Sequence, residues 1–193
     1  MKRFWMLCCC SLLTAVLCVH SPSKSAPKTI PWSAARKLSW NDFKMRLPET
    51  RSRDANTEVN ITWQYNKYCP DNKLWFTVTA VFLTEKSWVD PNQQSENLLQ
   101  HEQLHFDLAE VYARALRQRL NSFKVDCEPT VATDTEVDQI GNKYVDALNA
   151  AHKKYDLETQ HGLNGTRQRE WEQKVKAFLS TINPSQPSRG FQE

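Results

Sequence analysis

The chain carries little excess charge of either sign. Its 193 residues contain 25 Lys and Arg against 22 Asp and Glu, a formal net charge of +3. The sequence has no cluster of arginines interleaved with aromatic residues and no internal repeat. This balance argues against a nucleic-acid partner, because phosphate binding needs a concentrated basic surface. With 40% hydrophobic and 24% charged residues, the composition is typical of one soluble globular domain.

Apolar runs long enough to span a membrane comfortably are also lacking. The apolar segment 4–19 follows a short basic start and precedes a segment of small polar residues, which is the layout of a secretory signal peptide. We therefore predict a signal peptide over residues 1–25, a linker over 26–37, the folded domain over 38–182 and a disordered tail over 183–193. The mature chain would then be periplasmic or secreted, with no membrane span.

Cysteine is scarce outside this leader. Of six cysteines, four lie within the predicted signal peptide, so that the mature chain keeps only Cys69 and Cys127. Neither belongs to a C-x-x-C pair, which argues against a cysteine zinc site. In an exported protein two cysteines are predicted to form a disulfide, although two separate thiols are an alternative. A lipid anchor on Cys18 is a second alternative, disfavoured by the bulky Leu17 before it.

Glycine and proline are absent from Ser95 to Phe123, and apolar residues recur there at helical spacing. This segment is predicted to be one long helix, with Asp90 and Pro91 as its start. Within it lies the sequence His-Glu-Gln-Leu-His, an H-E-x-x-H motif. On a helix, two histidines four positions apart share a face and can bind one Zn²⁺. The candidate metal ligands are His101 and His105, and the candidate general base is Glu102.

Strands and further helices complete the predicted fold. Residues 57–65 alternate between polar and apolar, and residues 73–83 are apolar enough for a central strand, so we predict an antiparallel hairpin. Apolar spacing predicts two more helices over 135–154 and 166–182. Two aromatic residues in the segment 38–43 are predicted to anchor the N-terminus on the core. The sequence thus predicts an α+β fold in which a small antiparallel sheet packs on the motif helix.

A catalytic zinc site needs a third protein ligand and leaves one position for water. The metzincin pattern would place Gly at 108 and His at 111, but the chain has Leu108 and Val111, which excludes that class. His161 is the first candidate, because the following Gly162 allows a turn that brings an imidazole close to another helix. The residues leave open Glu136, Asp156 and His152, the last of which fits a surface position better.

Three separated segments carry a resemblance to a known family. Residues 38–43 (LSWNDF), 101–110 (HEQLHFDLAE) and 155–162 (YDLETQHG), with Gln168 and Trp171, resemble in order the motifs of the predicted secreted zinc-dependent protease family of bacteria, long filed as a domain of unknown function. The similarity runs from about Trp40 to Trp171. It implies a zincin-like peptidase exported from the cytoplasm, with zinc on His101, His105 and His161.

The predicted activity is hydrolysis of a peptide or protein substrate by a zinc-activated water, with Glu102 passing its proton to the leaving amine. Asp107 and Asp156 are candidates to orient the histidines, Asp156 for the turn that carries His161. Two alternatives remain: a zinc-binding interaction module without turnover, and a zinc amidase or deacetylase acting on a non-peptide substrate. Glu102 favours hydrolysis over a non-catalytic site, because a structural zinc needs no carboxylate beside an open position.

Overall fold

The computed structural model describes residues 28–68, 70, 72–125 and 132–181. The described residues form a mixed α+β fold, as predicted, with two small antiparallel sheets and three α-helices. Three predictions lie outside the described residues: the signal peptide, the disulfide between Cys69 and Cys127, and the disordered tail 183–193. The elements are β1 (Thr29–Pro31), β2 (Ala55–Asn56), β3 (Val59–Tyr68), β4 (Lys73–Leu83), β5 (Trp88–Val89), α1 (Glu96–Asn121), α2 (Ala132–Thr159) and α3 (Gly165–Thr181).

The larger sheet has the order β1-β4-β3 and is antiparallel throughout. β3 and β4 form the predicted hairpin, paired from Val59 opposite Phe82 to Tyr68 opposite Lys73. Alternate side chains of β4, including Phe76 and Phe82, are buried against α1, as the period of two in a strand requires. β1 falls in the segment predicted to be a linker; it is instead an edge strand on β4, where its proline is tolerated.

Helix α1 forms the centre of the molecule. It packs against β3 and β4 and also against α2 and α3, so residues around much of its circumference are buried. It begins later than predicted: Ser95 is the N-cap, and its side chain accepts a hydrogen bond from the Leu98 amide at 3.2 Å. Asp90, the predicted cap, instead accepts from the Asn92 amide at 2.9 Å and pairs with Arg51.

Helix α2 contacts the sheet through a close approach at Gly141. A Cβ atom there would lie 2.4 Å from the indole ring of Trp63, so only glycine leaves room for the ring. The same indole donates from Nε1 to Asp138 at 2.9 Å. This contact fixes α2 against β3. The helix runs to Thr159, five residues beyond the predicted end at Lys154.

The N-terminal anchor is confirmed. Leu38 and Phe43 are buried, and the Phe43 ring meets Phe82 of β4 edge-on at 5.1 Å between centroids. Phe82 in turn contacts Phe106 of α1 at 5.9 Å, so one aromatic row joins the N-terminal segment, the sheet and the central helix. Among the described residues, no helix combines the length and apolarity needed to cross a membrane.

Candidate metal centre

Helix α1 brings His101, Glu102 and His105 to the floor of a cleft of about 1150 Å³. All three side chains are buried. The two imidazole rings lie 4.9 Å apart between centroids, because residues four positions apart on a helix share a face. The helical setting of the motif, and the close approach of its two histidines, are therefore as the sequence predicts.

Asp156 of α2 faces these two histidines directly. Its Oδ1 lies 3.2 Å from His101 Nε2 and 3.0 Å from His105 Nε2. One ligand atom from each of the three residues lies within 4.8 Å of the other two, so the group could hold a metal ion. Burial raises the pKa of Asp156, but contacts with the two imidazoles outweigh burial and hold it well below its usual range. Asp156 therefore offers an anionic oxygen to a cation.

His161 lies at the edge of the same group, in a turn of unusual backbone conformation. Gln160, His161 and Gly162 all have positive φ angles, of 52°, 54° and 87°. Hydrogen bonds hold the turn: the His161 amide donates to the Asp156 carbonyl at 3.0 Å, and the Asn164 amide to the Thr159 carbonyl at 2.8 Å. His161 Nδ1 lies 3.6 Å from Asp156 Oδ1, and the His161 side chain is 52% exposed. The turn thus brings His161 near the cluster, at its solvent side.

Gly162 lies directly against His101. A Cβ atom at Gly162 would lie 3.1 Å from both Cβ and Cγ of His101, and its φ of 87° is one that side-chain-bearing residues rarely adopt. Both observations require glycine at this position. The sequence indicated the turn, and the structure adds that its backbone covers one side of His101.

The outward nitrogen of His101 is engaged by a buried amide. His101 Nδ1 lies 3.2 Å from Oε1 of Gln168 on α3, and the same oxygen accepts from the Tyr155 hydroxyl at 2.8 Å. Gln168 Nε2 donates to Glu172 at 3.0 Å. The Tyr155 ring stacks on His101 at 4.5 Å between centroids. Burial raises the pKa of this phenol well above its usual range, and Glu102 adds to the effect, so Tyr155 is a hydrogen-bond donor.

His105 has an outer partner as well. Its Nδ1 lies 2.8 Å from Nδ1 of His152, which follows the cleft face of α2 one turn before Asp156. His152 is therefore not the surface histidine that the sequence favoured. Burial and the neighbouring His105 lower the pKa of His152 to about 3, so it is neutral at physiological pH. Its Nε2 atom is buried without a hydrogen-bond partner among the described residues.

Two acidic side chains that the sequence considered lie elsewhere. Asp107, predicted to support a histidine ligand, accepts from Trp32 Nε1 at 2.7 Å and Gln103 Nε2 at 2.8 Å, with Lys37 3.4 Å away. These contacts join the N-terminal segment to α1 and involve none of the clustered histidines. Glu136 is exposed near the start of α2 and does not line the cleft.

One wall of the cleft is formed by residues around β2, chiefly 51–55. β2 pairs with β5, with Ala55 opposite Val89, and the Asp90 amide donates to the Asp54 carbonyl at 2.8 Å. In an antiparallel ladder the next residue along, Ala55, then directs its backbone N–H and C=O away from β5. Within the described residues β2 has no second strand on that side.

The sequence left Asp156 and His152 open as third ligands but ranked both below His161, and it assigned Gln168 no role at the metal. The signal for two of them was the spacing of His152 and Asp156, four positions apart, which places both on one helical face. It was hidden because the second helix was predicted to end at Lys154, which put Asp156 in the following turn. Gln168 carried no local signal beyond its place near the closing motif.

Comparison with known proteins assigns the chain to a protein family. The model of a family described as bacterial protein of unknown function (DUF922) matches residues 34–162. The match contains the N-terminal anchor, the motif helix and the turn with His161, and is consistent with the resemblance seen in the sequence. No curated protein and no solved structure matches the chain.

Proposed function

The chain belongs to this bacterial family of unknown function, and we propose that it is an exported zinc-dependent metallopeptidase. The observation that carries the proposal is the convergence of His101, His105 and Asp156 on one point of the cleft floor, with Glu102 between the two histidines in sequence and buried in the same cleft. Export rests on the signal-peptide pattern of residues 1–25. A long motif helix packed on an antiparallel sheet supports the zincin-like part of the proposal.

The donor set suits zinc. Two imidazole nitrogens and one carboxylate oxygen form a three-ligand site of the catalytic kind, which leaves a position for water. In this proposal Asp156 takes the place of the third ligand, and His161, which the sequence put there, lies beside it. A bound zinc would supply an acidified water and polarise the carbonyl group of the substrate.

Glu102 is the residue that would handle the proton. It follows His101 on α1 and lines the cleft, so its carboxylate can accept a proton from a water at the cleft floor and return it to the leaving amine. Tyr155 does not have an oxyanion-stabilising position, because its hydroxyl is buried against Gln168 Oε1 and the His101 carbonyl oxygen. Its role is to support the floor.

The cleft wall favours a peptide over a non-peptide substrate. Strand β2 lies in the wall of the cleft that contains the metal centre, and its side away from β5 has no strand partner among the described residues. Although Ala55 itself is buried, an extended peptide that enters the cleft could add to this side of β2. An amidase or deacetylase substrate without a peptide backbone would not use this edge. The proposed substrate is therefore an extended segment of a peptide or protein.

One observation favours a second candidate function. His161 Nδ1 lies 3.6 Å from Asp156 Oδ1, just outside the three-residue group, so a small movement of its ring would give a metal four protein donors. A four-ligand zinc site has no open position and is structural. In that case the protein would be a zinc-binding interaction module without turnover.

The test combines metal analysis with turnover. The purified wild-type protein should contain about one zinc per chain by elemental analysis and cleave members of a peptide library. Glu102→Gln should retain the zinc and lose turnover by about 10²–10⁴-fold. Glu96→Gln, on the exposed first turn of the same helix, is the matched control and should retain both. Full activity of Glu102→Gln would refute the mechanism, and zinc binding without any turnover would favour the interaction module.

A further inference from the structure

The side-chain amide of Gln168 lies against His101, one of the three residues of the candidate metal centre. Its side chain is buried on α3, 67 positions along the chain from His101, and both ends of its amide are engaged. The oxygen end faces the Tyr155 hydroxyl and His101 Nδ1, and the nitrogen end faces Glu172. The amide is therefore held between one donor, one carboxylate and one imidazole whose role depends on its tautomer.

Glu172 determines which way this amide points. A carboxylate only accepts hydrogen bonds, so the NH₂ end of Gln168 must face Glu172. The end that faces the Tyr155 hydroxyl is then the carbonyl oxygen, and the hydroxyl can donate to it or to the His101 carbonyl oxygen. A flipped amide would place its oxygen against the Glu172 carboxylate and its NH₂ group against the tyrosine proton. The contact with Glu172 would be unfavourable, whereas the Tyr155 hydroxyl could turn its hydrogen to the His101 carbonyl oxygen.

The orientation of the Gln168 amide determines whether Nδ1 of His101 carries a hydrogen. Because Gln168 presents an oxygen, His101 Nδ1 must carry the hydrogen and donate it. His101 Nε2 is then the nitrogen left to bind a metal, which would displace the hydrogen that this atom shares with Asp156 in the metal-free protein. We propose that Gln168, oriented by Glu172, is a positioning residue that keeps a hydrogen on His101 Nδ1 and so leaves Nε2 as the nitrogen that binds the metal. This inference rests on the metal centre of the proposed function.

The second histidine shows why the arrangement at His101 is specific. His105 meets His152 through two Nδ1 atoms, either of which can donate to the other. That pair does not by itself determine where the proton lies. At His101, by contrast, the oriented Gln168 amide assigns the hydrogen on the nitrogen that faces away from Asp156.

The sharpest test reverses the amide without touching His101. Glu172→Lys replaces an acceptor by a donor, which should draw the Gln168 oxygen toward Lys and turn its NH₂ group toward His101. With ¹⁵N-labelled histidine, wild-type His101 should carry a hydrogen on Nδ1 in the zinc-loaded protein, and also in the metal-free protein, where Nε2 faces Asp156. Glu172→Lys should shift His101 toward protonation at Nε2 and weaken zinc binding by about 10–100-fold in a chelator competition.

The matched control is Glu170→Lys, which makes the same charge change on α3. Among the described residues Glu170 pairs with Arg167 and has no hydrogen bond to Gln168, so this variant should leave the tautomer and the zinc affinity unchanged. Gln168→Met removes the amide at similar size and should weaken zinc binding by about 10-fold or more. If either variant fails to fold, as judged by circular dichroism, the other carries the test.

The outcomes separate this inference from the proposed function. A wild type that binds no zinc would refute the proposed function, while the His101 tautomer in metal-free protein would still be measured. A wild type that binds zinc, with unchanged affinity in folded Glu172→Lys and Gln168→Met, would overturn the role of Gln168. So would a His101 tautomer that is the same in wild type and Glu172→Lys.

Discussion

The backbone amide of His161 donates to the carbonyl oxygen of Asp156 at 3.0 Å, and the His161 imidazole Nδ1 lies 3.6 Å from the carboxylate of the same residue. The turn after α2 thus folds back over the last turns of that helix. A candidate donor in the turn, His161, therefore lies next to the donor on the helix, Asp156. Which of them completes the metal site decides between an open and a closed coordination shell.

The third donor can be identified by comparing Asp156→Ala with His161→Ala. Asp156 lies within 3.2 Å of both motif histidines, so Asp156→Ala should lose most of the zinc. His161→Ala should weaken binding by about 10-fold or less, because its exposed ring contributes less. Zinc content by elemental analysis and affinity by chelator competition are the measurements. If His161→Ala loses the zinc and Asp156→Ala keeps it, the original assignment from sequence is correct.

Gly162→Ala should weaken zinc binding without a change in any ligand. The added methyl group would push His101 and would occupy a φ of 87°, at a cost of about 1–2 kcal/mol in the free energy of unfolding. Gly165→Ala is the control, since its nearest neighbour would be Arg169 at 3.5 Å. Urea unfolding and zinc affinity check the pair. Equal behaviour of the two variants would contradict the close packing at His101.

His152 should make the metal-free protein acid-sensitive. Its pKa of about 3 lies below the 6.5 of an unfolded chain, so between these values the unfolded state binds a proton that the folded state does not. The stabilisation from neutral His152 is complete above pH 6.5 and is lost as the pH falls toward 3. From pH 7 to pH 5 this amounts to about 2 kcal/mol at most.

The comparison for this effect is His152→Gln, which cannot titrate. Urea unfolding at pH 7 and pH 5, with zinc removed from both proteins, gives the change in the free energy of unfolding. The wild type should lose more stability than the variant over this interval. An equal loss in both would show that His152 is protonated as readily in the folded as in the unfolded chain.

Asp107→Ala should lower stability and leave zinc affinity unchanged. Asp107 accepts from Trp32 and Gln103 and so ties the N-terminal segment to α1; its removal should cost about 1–3 kcal/mol. Thermal or urea unfolding measures the cost, and Asp146→Ala on the exposed face of α2 is the control. A drop in zinc affinity comparable to that of Asp156→Ala would show that Asp107 does support a histidine ligand, as the sequence predicted.

Local sequence patterns predicted which strands and helices form better than they predicted the residues at which these strands and helices end. The alternation of 57–65 and the apolar run 73–83 located β3 and β4, because a strand with one buried face must repeat every two residues. The end of α2 was placed too early, since neither a proline nor a glycine marks it before Gly162. That boundary error moved Asp156 from a helix into a turn and concealed its relation to His152.

The sequence by itself determined the central helix and its pair of histidines. Their spacing of four residues becomes a shared face through helix geometry alone, with no help from the rest of the chain. Only the tertiary structure decided what surrounds them. His152 and Gln168 stand 47 and 67 positions from the histidines they contact, and Asp156 meets His101 across 55. Contacts at such separations depend on how α2 and α3 pack and where each ends, which no local pattern encodes.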